Sequence, residues 1–383
     1  MNQPLEWIWQ HRNWPSFHWD VEPLAPLLRA CTQAQGRLLG MIGASGGDAT
    51  VHTELDALLQ NVITSSAIEG EQLNVGSVRS SLAKRLGLAA DDGVTPRSEG
   101  LAELMLDATQ QFQAPLTFER LMYWHRLLFP ETESLLAKRV QVGMLRGNEP
   151  MQVVSGRLDR PVVHFEAPPR EGLEKQLDDF FSWFNARAAD VTLDPLLRAG
   201  IAHFWFVTLH PFDDGNGRLT RAITDLALAQ GESQAIRFYA MSASILSNRQ
   251  GYYQILESTQ RGGLDLTPWL AWFLQTLLRT LEQAMQRMDR VLAKARFWQA
   301  HRDDGLSAEQ IKVLNRLLNG DLLSEKPGAG FEGGISAAQY QAVAKVSKAT
   351  ATRHLSDLLE KGCLERLPGG GRSTRYQIDW GAA

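Results

Sequence analysis

Between Asp194 and Pro211 the chain carries a segment, Leu196 to Leu209, that is apolar nearly all round instead of along one stripe. A helix of that kind is stable only when neighbours cover every face, so it belongs at the centre of a domain. Asp194-Pro195 opens it, with a carboxylate at the N-cap and proline at the first helical position. Pro211 is expected to close it. Its most apolar stretch, Gly200 to Leu209, contains His203 and is too short to span a bilayer. The centre of the chain is therefore expected to be a helical bundle wrapped round this segment.

Helical periodicity extends over most of the rest. Leu27 to Leu39 and Leu55 to Leu73 both show it, and the pattern from Glu99 to about Arg296 stays mainly helical. The exception is Met151 to Phe165. There Gln152 to Ser155 and Val162 to Phe165 read as short strands of a β-hairpin joined through Gly156 to Arg160. Pro168-Pro169 closes the hairpin, and a helix follows through Leu177, Phe180, Phe181 and Phe184. At the N-terminus Trp7, Trp9, Trp14 and Trp19 are expected to anchor a small helical domain, since each buries a large area. Ala89 to Pro96 reads as a surface connection.

The last segment changes texture. Helices are expected at Leu306 to Leu318, Ile335 to Val346 and Ser347 to Lys361, the last with Ser347 as N-cap, and Asn319 to Gly334 is loop-like. Cys363 to Arg366 and the Gly-rich basic stretch Gly369 to Tyr376 would then form a hairpin, which makes this end a winged helix-turn-helix. At 383 residues the chain exceeds one ordinary core. The expected division is a helical region 1–90, a core 91–298 and a winged-helix domain 299–383.

With a formal net charge of −4, a chain-wide nucleic-acid footprint is excluded, which leaves only a local basic patch. Two cysteines, Cys31 and Cys363, make neither a disulfide framework nor a zinc set, and suit a reducing cytoplasm. Met1 to Gln10 lacks the basic and apolar regions of a signal peptide. A cytoplasmic protein with no membrane partner is expected.

The stretch that carries chemistry follows the apolar helix: His210-Pro211-Phe212-Asp213-Asp214-Gly215-Asn216-Gly217-Arg218-Leu219-Thr220-Arg221. Gly215, Asn216 and Gly217 give a tight turn whose N–H groups converge at the start of the next helix, Arg218 to Gln230, and such a start binds phosphate. Arg218 and Arg221, three apart, share a face and can neutralise a polyphosphate. Asp214 beside those phosphates suits Mg²⁺ or Mn²⁺. His210, with a reference pKa of ~6.5, suits a general base. The bland reading, a capped helix with surface arginines, covers each residue singly but not the ordered set.

That stretch resembles the signature of the Fic family: His, any, Phe, any, Asp/Glu, Gly, Asn, Gly, Arg, any, any, Arg. Every fixed position is filled. The resemblance implies a mainly α fold with a helical core and a β-hairpin flap, and a protein adenylyltransferase that moves AMP from ATP to a Ser, Thr or Tyr hydroxyl. It implies that His210 deprotonates the hydroxyl and Asp214 holds the metal. Gly215, Asn216 and Gly217 would bind phosphate, and Arg218 and Arg221 the β/γ end. Phe212 would anchor the loop. The hairpin is placed like the family's flap, which aligns a target by strand addition. Asn248 to Leu256, with Tyr252 and Tyr253, resembles the segment lining the adenine and ribose pocket. The target hydroxyl could lie on another protein or on the chain itself, and a homodimer is left open.

Ser65-Ser66-Ala67-Ile68-Glu69-Gly70 resembles the family's inhibitory motif. Glu69 on a docked helix would pair with Arg221 and withhold it from the γ-phosphate. Ser66 to Glu69 also fits a capping box, and Glu69-Gly70 a helix end. The same glutamate could serve removal of AMP from a modified target. Two readings of other classes stand beside these. A metal hydrolase would use His203, seven residues before His210, although no His-Glu-x-x-His is present. A transcription regulator would use the core as a nucleotide sensor and bind DNA through Ser347 to Lys361 and the basic wing, with Lys345, Lys348, Arg353, Lys361, Arg366, Arg372 and Arg375.

Overall fold

A computed structural model describes residues 7–43, 47–89, 93–130, 140–157, 160–186, 192–233, 238–319, 333–368 and 374–381. Among them are fourteen α-helices and five short strands, so the chain is mainly α. It divides into two compact units, Met1–Met285 and Gln286–Ala383.

The first unit begins with α1 (Val21–Gly43), α2 (Gly47–Ile68), α3 (Val75–Arg85), α4 (Pro96–Gln110) and α5 (Phe118–Leu128). A hairpin follows, β1 (Gln152–Arg157) and β2 (Arg160–Glu166), paired antiparallel. Leu158 and Asp159, within the expected turn, lie outside the described residues. Next come α6 (Leu173–Asn185), α7 (Pro195–Leu209), α8 (Asn216–Glu232), α9 (Met241–Ser247), α10 (Arg249–Gln260) and α11 (Thr267–Ala300), which runs on into the second unit.

The all-apolar segment is α7, and Leu196 to Leu209 is buried throughout. Asp194 caps it by accepting from the N–H of Leu196 at 2.8 Å. Its main partner is α8, which also packs on α4. Gly200 is what lets α11 approach, since a Cβ there would stand 2.9 Å from Leu270 and 3.1 Å from Phe273. α7 ends one residue before the proline, at His210 in the left-handed region (φ 47°, ψ 57°).

Two further expectations are corrected here. The helix read from Leu55 to Leu73 stops at Ile68, because Gly70 turns left-handed (φ 82°) and the N–H of Glu71 closes on the carbonyl of Ser66 at 3.0 Å. Three of the N-terminal tryptophans reach beyond the region that they were expected to anchor. Trp7 packs edge-on against Phe165 of the hairpin, Trp9 donates to the carbonyl of Glu166, and Trp14 donates to Gln176 on α6. They staple the segment before α1 to the hairpin and its following helix.

The second unit contains the end of α11, α12 (Ala308–Asn319), β3 (Ile335–Ser336), α13 (Ala337–Ala344), α14 (Lys348–Glu360), β4 (Leu364–Arg366) and β5 (Arg375–Ile378). The strands form an antiparallel sheet ordered β3-β5-β4. Ile335 and Ser336, expected to be helical, are strand. Ser336 then caps α13 by accepting from the N–H of Gln339. Ser347 does cap α14, accepting from the N–H of Thr350. Phe297, Leu314, Tyr340, Leu355 and Ile378 share a core of this unit's own. Gly369 to Ser373, the tip of the expected wing, lie outside the described residues, as do 90–92 and 320–332 of the expected connections. Among the described residues no helix is long and apolar enough to cross a membrane.

Candidate active site

The loop between α7 and α8 is held from three sides. Asn216 accepts from the N–H of Phe212 at 3.0 Å and donates to its carbonyl at 2.7 Å, so its side chain braces the loop. The ring of Phe212 stacks on His125 of α5, centroids 4.1 Å apart. Arg146 donates through its backbone N–H to the carbonyl of Pro211 and through Nε to the carbonyl of His210. Gly215 (φ 84°) fits only without a side chain, since a Cβ would lie 3.0 Å from Leu128 and 3.1 Å from Phe129.

This bracing fixes His210 in a backbone region that non-glycine residues rarely adopt, a strain typical of functional positions. The ring Nδ1 faces the carbonyl of Val207 at 3.1 Å and so carries the proton, leaving the lone pair on Nε2. Burial pushes the imidazole below its ordinary pKa and the charge of Arg146 does likewise, while Val207, Glu69 and Asp214 oppose the shift. His210 is thus held neutral, as a general base must be.

Gly215 caps α8 without any side-chain bond to the helix start, which leaves the first N–H groups to an anion. Gly217 stands beside Glu69, and a Cβ on it would lie 2.1 Å from Glu69 Oε1. Glu69 follows the last turn of α2. Ser66 is inside that helix, so the capping-box reading falls and the helix-end reading holds. Glu69 Oε1 accepts from Arg221 Nη2 at 2.8 Å, and Arg221 also donates to the hydroxyl and carbonyl of Ser65. Burial works against the carboxylate's charge, yet Arg221, Arg218 and His210 together hold its pKa below the ordinary value. Arg221 Nη1 is buried with no hydrogen-bond partner among the described residues. It lies 3.2 Å from where a Cβ on Gly217 would stand. An unsatisfied guanidinium donor beside free helix N–H groups marks a place for an anion.

Arg218 is held differently. Its Nη1 donates to Glu71 at 2.7 Å, its Nη2 is 3.4 Å from Asp214 Oδ1, and the guanidinium lies over Phe129. Asp214 is half-exposed and lines the cavity in front of the loop. That cavity measures about 750 Å³ and is bounded by Glu69, His210, the Asp213 to Gly217 turn, the hairpin and α10. Tyr252 and Tyr253 both border it. Tyr252 is nearly fully buried, its hydroxyl bonded to His203 Nε2 at 2.9 Å, whereas Tyr253 is exposed and lies under Arg249. His203 is a core residue whose Nδ1 meets Thr224 at 2.9 Å, and burial drives its pKa down to about 3. Both ring nitrogens are occupied within the protein, so it offers no ligand atom to a metal.

Sequence reasoning passed over Glu71, Arg97, Arg146 and Arg249. Glu71 binds Arg97 of α4 through two bonds of 2.8 Å each while also taking Arg218. Its one local signal is its position two residues after Glu69. It also passed over Ser155, His164 and Glu257, which lie on three separate elements of the cavity wall.

The model of the Fic/DOC family matches residues 115–228, and a domain of unknown function, DUF4172, matches residues 7–88. The protein adenylyltransferase Fic of Nematostella vectensis is 25% identical over 233 residues, 59% of this chain and 48% of that protein. The protein adenylyltransferase fic-1 of Caenorhabditis elegans is 25% identical over 226 residues, 58% of this chain and 39% of that one. The chain thus spans less than half the length of these curated relatives. In fold it is similar to a Fic family protein from Desulfovibrio desulfuricans (TM-score 0.53, 19% identity, 94% of this chain and 97% of that chain). It is also similar to a Fic domain containing signaling protein from Bacteroides thetaiotaomicron (TM-score 0.51, 19% identity, 68% of this chain and 97% of that chain).

Proposed function

We propose, for a chain whose residues 115–228 form a domain of the Fic/DOC family, that the cavity binds ATP and transfers its AMP to a protein hydroxyl. One observation carries this reading. A neutral imidazole with a free Nε2 and a helix start without a side-chain cap border one space, and an unsatisfied arginine donor stands beside that helix start. Phosphoryl-centred transfer asks chiefly for positioning and charge stabilisation, which those groups supply. His210 Nε2 takes the proton of the attacking hydroxyl. The N–H groups of the α8 start hold the phosphates, and Arg221 and Arg218 hold the far end of the chain of phosphates. An exposed carboxylate beside that cradle fits a hard divalent cation of the Mg²⁺ type, which takes one or two carboxylates and completes its shell with phosphate oxygens and water. Asp214 would hold it, and the ion would supply charge neutralisation.

In the present arrangement Arg221 is spent on Glu69 and Arg218 on Glu71. We read this as a restraint in which the tail of α2 competes with nucleotide. The experiment is incubation with α-labelled ATP and Mg²⁺ of the wild type, Glu69→Gly and Glu69→Gly/His210→Ala. The expected result is label on protein in Glu69→Gly, little in the wild type and much less once His210 is lost. A folded Glu69→Gly protein that transfers no more than wild type overturns the restraint. Absence of label throughout overturns AMP transfer.

A second reading concerns the second unit, which we take as a winged helix and as residues 299–383 of a three-part chain with boundaries near 90 and 298. Its support is α14, which turns Lys348, Thr352 and Arg353 out to solvent behind a capped start. A helix so furnished suits the phosphates and base edges of a DNA groove.

A further inference from the structure

The hairpin holds a second set of proton-handling groups that the transfer described above does not use. Ser155 Oγ lies 2.6 Å from His164 Nε2, and His164 Nδ1 lies 2.8 Å from Glu257 Oε2. All three border the cavity that holds His210 and the Gly215 to Gly217 turn. The hairpin's own irregularity brings them together. Val153 pairs with Phe165 and Val154 with Val163, so the register slips and His164 is left without a partner in the ladder. Such a bulge re-aims a side chain, and it is a recurrent device at the edges of active sites. Glu257 comes from α10, and that helix is fastened to the hairpin by Arg261, which donates to the carbonyl of Val163 at 3.0 Å.

A hydroxyl, an imidazole and a carboxylate joined through the two different ring nitrogens form the arrangement that activates a serine as a nucleophile. Glu257 accepts the Nδ1 proton and thereby fixes the tautomer whose Nε2 is free to take a proton from Ser155. What the serine would meet in this cavity is a phosphate cradle. We infer that Ser155 is an internal acceptor of the nucleotidyl group, with His164 as its base and Glu257 as the residue that orients the base; this rests on the reading of the cavity as an AMP-transfer site.

In the step, a bond forms between Ser155 Oγ and the α-phosphorus of a nucleoside triphosphate. The bond from that phosphorus to the bridging oxygen breaks, and pyrophosphate leaves with the electron pair. The serine proton passes to His164 Nε2. The product is a phosphodiester on the hairpin. Because Ser155 and the cradle line one cavity of one chain, the reaction needs no second protein, and its acceptor is present at the high effective concentration of an intramolecular group.

The test uses the full chain carrying Glu69→Gly, with α-labelled ATP and Mg²⁺, followed by peptide mapping of the label by mass spectrometry and by a parallel measure of pyrophosphate release. The expected label sits on Ser155. It persists in Ser155→Thr, vanishes from that peptide in Ser155→Ala, and forms on the order of a hundredfold more slowly in His164→Gln, the usual loss when a general base is removed. Label confined to another hydroxyl, Tyr253 included, overturns the inference, as does a Ser155 labelling rate that His164→Gln leaves unchanged. Pyrophosphate release that depends on His210 while Ser155 stays unlabelled sinks the internal acceptor alone. Loss of both pyrophosphate release and label sinks the AMP-transfer reading with it.

Discussion

At the scale of single residues, His210 has the most constrained chemistry. Burial, the first cause of its lowered pKa, disfavours the imidazolium, and only the neutral ring can accept a proton. On the proposed mechanism, protonation on acidification therefore abolishes the base, and the lowered pKa moves that loss to more acidic pH than an ordinary histidine, at 6.5, would give. The expected pH profile of kcat/KM for Glu69→Gly has its acid limb below 6.5. A limb centred at or above it would assign the base elsewhere. The grouping of His210, the Gly215 to Gly217 turn and both arginines was legible in the sequence because one contiguous stretch carries them all. The partners of those arginines were less so. Glu69 could be picked out beside a complete signature, but Glu71 and Arg97 meet Arg218 only through the packing of three elements, and no local spacing records that. The bulge at His164 is invisible for the same reason, since a register slip belongs to the pair of strands and to neither strand alone.

At the scale of elements, the tail of α2 is fastened at two points, Glu69 to α8 and Glu71 to both α8 and α4. Glu71→Ala removes the carboxylate that Arg97 and Arg218, both largely buried, share, and leaves Arg218 only the longer contact with Asp214. The expected cost is about 1–3 kcal/mol of stability, read as a lowered Tm. Transfer is expected to rise at least about fivefold over wild type. Combined with Glu69→Gly, the gain should fall short of the product of the two single gains, because both changes release one tail. Full multiplicativity in the labelling assay would mean that the two contacts act on separate things. The elements themselves were readable wherever local chemistry decides them, as at Asp194-Pro195 and Ser347. They were misread where a distant partner decides. Ile335 and Ser336 continue a helical pattern in sequence, yet they pair with Tyr376 and Arg375 as a strand. Trp7 signalled burial correctly, but the surface that buries it is the hairpin, which lies far along the chain.

At the scale of the whole molecule, the two units carry separate cores, and the chain's formal charge of −4 gives no general attraction to nucleic acid. Any DNA binding must then come from a local basic face such as that of α14. The full chain is expected to retard a DNA duplex in a gel at low salt and to lose it as salt rises, because counterion release drives such binding. Lys348→Glu/Arg353→Glu should abolish the shift while leaving nucleotide transfer by the first unit intact. No retardation at low salt would remove DNA from the second unit's account.

Gly217 meets two demands with one missing side chain. A Cβ there would collide with Glu69, and the same bareness lets a phosphate approach the helix start. On the proposed reading, the restraint and the activity it restrains therefore share a genetic address. Cells selected for unrestrained activity would yield alleles in the tail of α2, at Ser65, Glu69 or Glu71. Alleles at Gly217 would not survive that selection, because a substitution that evicts the carboxylate also spoils the seat it vacates.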